Sequence, residues 1–404
     1  MQTSIQKNEH FMALEWLRFF LGLYIIIFHT FHYANSPNFI RDIFGFGFFA
    51  TSTFFILSGF LLSHVYLKHH GTNSVILRES SRSFIVKRFS NLYPIHIFSM
   101  FLYIGIIMVV PYFGINENDA NATIRFVVFD SNNGTPHEEL RHYMSNTELF
   151  LAFIMNIFMV QSWNPYYMMF NFPTWSISTL FFFYLIFPFV VLKINKIKNI
   201  YLFLLILNFI YILPVVFVIL FTNMGAPESG LLHRNPLIRL PEFLAGIVLC
   251  VIYHRSKINN TLPNKKDMFI LLSFIILGLY LSKLFLKILS NDFNSGNIAY
   301  HLLHNGLILT LEMAIIYYFV NIPYFKNEKL IEIAKKFGGA ALPMFALHIP
   351  LYAIFIRVQK YLNEGQADYL YYIVYLVITI YLCIIFQEKF VVKARNKIQK
   401  ILEK

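Results

Sequence analysis

Residues 11–33 read FMALEWLRFFLGLYIIIFHTFHY, and the reading of this stretch decides the fold class. It is apolar for long enough to cross about 30 Å of hydrocarbon at about 1.5 Å per residue. It carries Arg18 and has no small-residue cleavage site, so it reads as a retained span and not as a removed signal peptide. Ten further apolar runs follow, at residues 43–67, 92–115, 149–163, 174–192, 200–222, 237–253, 268–288, 300–322, 339–357 and 368–387. Barrel strands would show as alternating segments of about ten residues, so these runs are helices. The composition agrees. The 404 residues are 57% hydrophobic, 18% aromatic and 13% charged, with mean hydropathy +0.57. That charged fraction is about half that of a soluble domain, too little to clothe a water-soluble surface.

The net charge of +12 would suit nucleic acid only if the basic residues shared a surface. They sit instead in short segments between apolar runs, the pattern that orients membrane helices, and no nucleic-acid partner is expected. Segment 68–91 holds Lys68, Arg78, Arg82, Lys87 and Arg88 against Glu79, which assigns it to the cytoplasm. Segment 116–148 holds Glu117, Asp119, Asp130, Glu138, Glu139 and Glu148 against Arg125 and Arg141, which assigns it to the other side. If all eleven runs crossed, the later basic clusters around Lys193–Lys198, Arg255–Lys266, Lys326–Lys336 and Lys389–Lys404 would break the rule several times. The run 149–163 is short, contains Asn156 and leads into Gln161-Ser162-Trp163-Asn164-Pro165, so it is read as re-entrant or interfacial. The expected fold is an all-α polytopic membrane protein of about ten transmembrane helices plus that one short segment. Both termini are cytoplasmic, residues 1–404 form a single transmembrane domain, and no internal repeat or added soluble domain is visible. Cys250 and Cys383 lie inside apolar runs and read as small core residues, with no metal site expected.

Ionisable groups inside a span are costly and normally face a cavity or a partner. The first span holds Glu15, Arg18 and His29. Arg18 and His29 are eleven residues apart, which is three turns plus about 20°, so they share one stripe about 16 Å apart along the axis. Glu15, one turn before Arg18, is placed to pair with it. Each group alone reads equally well as a snorkelling arginine and a hydrogen-bonded core histidine. The basic segment ending Lys87-Arg88-Phe89-Ser90-Asn91-Leu92-Tyr93-Pro94 likewise reads as a topology signal or as a holder of phosphate oxyanions. Further on, Pro173-Thr174-Trp175-Ser176 opens a span from the outer side and Pro241-Glu242-Phe243 places a carboxylate near an outer boundary. Glu312 and His348 fall mid-span, and His348 reads as a packed or bridging residue.

Taken in order, these segments resemble the membrane-bound acyltransferase-3 family, which O-acylates lipopolysaccharide, capsule, peptidoglycan and related acceptors. Leu14-Glu15-Trp16-Leu17-Arg18 through Phe28-His29 resembles its opening signature, a basic residue, ten residues and then His. Phe54 to Phe60 resembles its second-span signature, and Arg88 before Leu92-Tyr93-Pro94 its arginine motif. Asn171 to Ser176 with Phe183-Tyr184-Leu185 and Phe187-Pro188 is similar to its Trp-Ser motif, and Arg239 to Phe243 and Leu347 to Pro350 to its late motifs. The chain departs at two places: Asn91 stands where the family usually has a second Arg, and Leu180 where it usually has an acidic residue.

The resemblance implies acyl transfer from a cytoplasmic acyl-CoA, by default acetyl-CoA, to a hydroxyl of a cell-surface polysaccharide or lipid-linked sugar. His29 is the expected general base, since an imidazole titrates near working pH. Arg18 would hold negative charge on the donor, and Arg88 with Lys87 and Arg82 would hold coenzyme A phosphates. Trp175, Ser176 and Glu242 are the expected acceptor-side residues. A multi-pass protein of the bacterial inner membrane is the family expectation, although the sequons at Asn121 and Asn133 would also suit a eukaryotic host. The rival readings are a proton-coupled transporter or flippase of a glycan precursor, which also uses intramembrane His, Arg and Glu, and a structural partner of a glycan assembly complex.

Overall fold

The computed structural model describes residues 11–31, 43–70, 74–109, 124–129, 141–222, 224–289, 293–323, 327–363 and 369–403. Of the acidic segment 116–148, only Glu148 among the carboxylates falls within them; Glu117, Asp119, Asp130, Glu138, Glu139 and both sequons lie outside the described residues. Lipid offers no hydrogen bonds to a bare peptide group, so apolar runs of this length satisfy their backbone internally as helices. These are α1 (Met12–Thr30), α2 (Gly47–Tyr66), α3 (Ser81–Val109), the short α4 (Asn146–Ile157), α5 (Trp175–Asn195) and α6 (Ile200–Phe221). There follow α7 (Glu228–Arg234), running into α8 (Pro236–Ile258), then α9 (Lys265–Leu289), α10 (Phe293–Leu302), α11 (Leu309–Val320), α12 (Glu328–Asn363), α13 (Tyr369–Ile385) and α14 (Val392–Leu402). Among the described residues nine helices are long and apolar enough to span a membrane, and the pair α10–α11, bent by 46°, makes a tenth crossing if taken as one. The molecule is the expected all-α polytopic membrane protein.

The run 149–163 does not make a span. Ser145 and Glu148 form a capping box that starts α4, and His142 adds a 2.8 Å contact to the same carboxylate. These bonds, the Ser145 N–H first, hold the Glu148 carboxyl at about 2. The helix stops after twelve residues at Ile157. His96 Nε2, half-way along α3, meets the Asn156 carbonyl at 2.7 Å, and Ser162 Oγ meets Ser178 Oγ of α5 at 2.7 Å. The chain thus dips into the bundle and turns back to begin α5, with its freed backbone caught by side chains.

The segment 68–91, read from sequence as a basic loop, is instead an antiparallel hairpin, β1 (Leu67–His70) with β2 (Ser74–Leu77), followed by the start of α3. Arg82, Lys87 and Arg88 therefore lie on a helix, and neighbouring residues there point about 100° apart. Phe11 at the start of α1 packs 4.7 Å from His64 at the end of α2 and 5.6 Å from Tyr253 near the end of α8. Arg82 at the start of α3 donates to the Leu402 carbonyl at the end of α14, at 3.3 Å. Both ends of the described chain lie on this one face, which we call the hairpin face.

Two helix contacts set the frame. Between α2 and α8, a Cβ built at Gly59 would run into the Phe243 carbonyl and one at Gly246 into the Ile56 carbonyl, so the two backbones touch. Between α1 and α12, a Cβ built at Gly22 would lie 3.4 Å from the Ala341 backbone, just at van der Waals contact. At the periphery the helices turn apolar side chains outward: α9 fully buries Ile275 alone, and Phe269 is 71% exposed.

Candidate active site

The first span pairs Glu15 with Arg18, as their spacing foretells. Arg18 Nη1 donates to Glu15 Oε2 at 3.0 Å, one turn away, with side chains 26% and 18% exposed. Both line a cavity of about 350 Å³ that opens near the hairpin face. Ser58 and Tyr66 of α2, Arg88 and Asn91 of α3, Tyr184 of α5 and Gln387 also line it. Arg88 is held in place rather than left to swing. Its guanidinium donates to the Tyr66 hydroxyl and lies 5.1 Å over the Tyr66 ring and 5.9 Å over the Phe84 ring. Its Nε is buried with no hydrogen-bond partner, a donor left over after these contacts. Two arginines from different helices thus face one partly open cavity, a place where charge-assisted bonds to an anion are strong.

Lys87 and Arg82 are not brought there. Lys87 pairs with Glu79, and Arg82 reaches the end of α14. Adjacent positions on a helix cannot share a face, which separates Lys87 from Arg88. The two positions where the chain departs from the family pattern, Asn91 and Leu180, both line the cavity beside Arg88 and Arg18.

His29 is half-buried at the far end of α1 and does not line this cavity. Its ring stacks on that of His348 of α12, with centroids 5.1 Å apart and planes at 29°. His348 is fully buried, and its Nδ1 lies 2.8 Å from the Met344 carbonyl, which can only accept. Nδ1 therefore carries the proton and Nε2 the lone pair, and Nε2 has no hydrogen-bond partner. Gly339 and Leu342, which line the cavity, continue in three-residue steps through Phe345 to His348 along α12. Phe345 meets the cavity-lining Phe54 at 4.9 Å, so an aromatic pair stands between the arginines and the histidines.

The acceptor-side residues assemble elsewhere. Glu242 of α8 is fully buried; its Oε1 takes 2.8 Å from Arg239 Nη2 and 2.6 Å from the Tyr211 hydroxyl of α6. Arg239 also donates to Ser52 Oγ of α2 at 2.8 Å and contacts His304 Nε2. The α10–α11 break lies here: the interrupted helix frees the His304 carbonyl, which sits 3.3 Å from the Tyr211 hydroxyl. Gly306 in the break packs where a Cβ would strike Ile212. The ring of Trp175, first residue of α5, meets that of His233 edge to face with centroids 4.9 Å apart, and the His233 ring lies 6.2 Å from that of His304. Trp175 and Glu242 are thus joined in one cluster at the starts of α5 and α8, the opposite end from the hairpin face. Ser176 is beside it, but its hydroxyl donates back to the Pro173 carbonyl at 2.7 Å.

The sequence reading named Arg239 only as part of a late motif, and His304, Tyr211 and Ser52 not at all. Arg239 and Glu242 are three apart, so their shared helix face was readable; His304 in an apolar run was a second signal. Tyr211 and Ser52 carried none, since single hydroxyls in apolar helices are common. Cys250 is buried as expected, yet its sulfur lies with the imidazoles of His64 and His254.

A family model described as an acyltransferase domain matches residues 12–388. No curated protein and no solved structure matches the chain. The family match runs over most of the chain and over its membrane-spanning helices, so the chain is a multi-pass membrane acyltransferase that belongs to the acyltransferase-3 family.

Proposed function

We propose that the protein transfers an acyl group, acetyl by default, from the thioester of an acyl-CoA to a hydroxyl of a cell-surface polysaccharide or lipid-linked sugar. The bacterial inner membrane is its proposed location, with the hairpin face cytoplasmic. One observation carries the reading: Arg18 and Arg88 line a single cavity at the face where the basic segments gather. Coenzyme A is a polyanion with a thin arm, and this arrangement suits anchoring its phosphates on Arg88 while the arm points inward past Arg18.

The acceptor hydroxyl would lose its proton to His29, whose ring orientation is set by stacking on His348. The alkoxide oxygen attacks the thioester carbonyl carbon, the new C–O bond forms, and the C–S bond breaks. The proton held by the imidazole passes to the departing thiolate, leaving an O-acyl ester and free coenzyme A thiol. Arg18 offers a positive charge for the donor's developing negative charge. The Phe54–Phe345 pair has to separate for the arm to pass from the arginines to the histidines. Trp175 and Glu242, in the cluster at the acceptor end, are the proposed sugar-facing residues.

The test uses purified protein in liposomes with acetyl-CoA and an acceptor glycan. The wild type should release free thiol only when both substrates are present, and the glycan should gain one acetyl mass. Thiol release that never depends on acceptor, or glycan movement without thiol release, would reject the proposal, the second outcome in favour of a carrier.

A further inference from the structure

We infer that His64, Cys250 and His254 form a transition-metal site that ties α2 to α8 near the hairpin face. Cys250 and His254 are four residues apart and so share one face of α8. His64 lies in the last turn of α2, four residues after Phe60. The Gly59–Gly246 contact brings the two helices close enough for their side chains to meet beyond it. His64 Nδ1 and His254 Nε2 are 3.3 Å apart, and these nitrogens and the Cys250 sulfur all lie within 4.8 Å of one another.

The nitrogen pair is already at the spacing a tetrahedral ion requires, and the sulfur is near enough to close on it with a small side-chain adjustment. Two imidazole nitrogens at about 2.0–2.1 Å from zinc are about 3.3 Å from each other, and a thiolate sulfur at about 2.3 Å is about 3.6 Å from either nitrogen. A plain contact between two histidines accounts for the nitrogen pair but gives the sulfur no part. One thiolate and two imidazoles form a borderline-soft set that selects Zn²⁺ or Co²⁺ over Mg²⁺ or Ca²⁺. The walls are apolar: Phe11 packs 4.7 Å from the His64 ring, Phe60 stacks parallel to it, and Tyr253 flanks it through Phe60. Binding releases the thiol proton to solvent, and three protein ligands leave the fourth position for water. The bound ion would cross-link two helices at the end where the reaction's donor cavity opens.

The experiment uses the full chain purified in detergent without chelator. It should carry a zinc-class ion. After chelator treatment, Co²⁺ should restore binding with a near-ultraviolet thiolate-to-cobalt absorption and the visible bands of a tetrahedral site. Cys250→Ser should lose the thiolate band, and His254→Ala should weaken Co²⁺ binding by at least about tenfold. Cys383→Ser, whose thiol is buried on α13 outside this group, should keep it. A wild type that takes up no Co²⁺, or a band that vanishes in Cys383→Ser, overturns the inference. Should Cys250→Ser fail to fold, the wild-type and Cys383→Ser cobalt spectra decide between the two thiols.

Discussion

The two arginine-bearing regions differ in how fully their charge is used. At the hairpin face Arg18 and Arg88 are part-exposed around a cavity, and Arg88 keeps an unused Nε donor. At the opposite end Arg239 is 0% exposed and meets Glu242, Ser52 and His304 through its two terminal nitrogens, while its Nε, like that of Arg88, has no hydrogen-bond partner. A guanidinium sealed from water needs partners simply to be there, because burying an ion costs several kcal/mol unless hydrogen bonds offset it. A guanidinium facing a cavity has open space beside it in which an anion can be met. Charge alone therefore does not separate the two regions, and neither does the count of unpartnered donors; access to open space does.

Four substitutions sharpen or break this contrast. The largest effect is expected at the histidine pair: His29→Ala should lower kcat by about 10²–10⁴-fold, the range of general-base catalysis, at normal membrane levels. Full activity would remove the base from the scheme. Next, Arg239→Ala should destabilise the fold by about 3–5 kcal/mol, since it strands the buried Glu242, and should be read as a lowered melting temperature in detergent. An unchanged melting curve would show that the fold does not depend on the buried Arg239–Glu242 pair. Third, Arg88→Ala should raise the Michaelis constant for acetyl-CoA by about tenfold, roughly 1.4 kcal/mol, with that of the acceptor and the melting temperature unmoved. Equal shifts for both substrates would undo its assignment to the donor. The smallest effect belongs to Lys87→Ala, which removes a part-exposed pair with Glu79 and should change donor affinity and stability by less than about 1 kcal/mol. A donor effect as large as that of Arg88→Ala would return Lys87 to the phosphate site.

The sequence carried the bundle almost whole, because hydrocarbon imposes one rule on every apolar run. Even the exception at 149–163 was readable: a run with Asn156 and a polar-aromatic tail does not cross, and in the fold His96 and Ser178 catch its loose ends. The pairing of Arg18 with Glu15 was also readable, being a matter of local pitch. What stayed hidden has two causes. The apolar run begins at Leu92, eleven residues after α3 itself starts at Ser81, so in the sequence Arg82, Lys87 and Arg88 look like one loop cluster when helical geometry splits them. The remaining groups are assembled from remote segments: His29 with His348, Glu242 with Tyr211, and Cys250 with His64. Periodicity says which face a residue takes, but not which helix lies opposite.

The bare approach of Gly59 to Gly246 has a mechanical corollary. With peptide backbones in direct touch, α2 and α8 behave as one stiff strut, with Tyr66 at one tip and Ser52, Arg239 and Glu242 toward the other. Neither tip can shift without dragging its twin, so any breathing that admits or releases a ligand must be supplied by the outer helices pivoting against that strut.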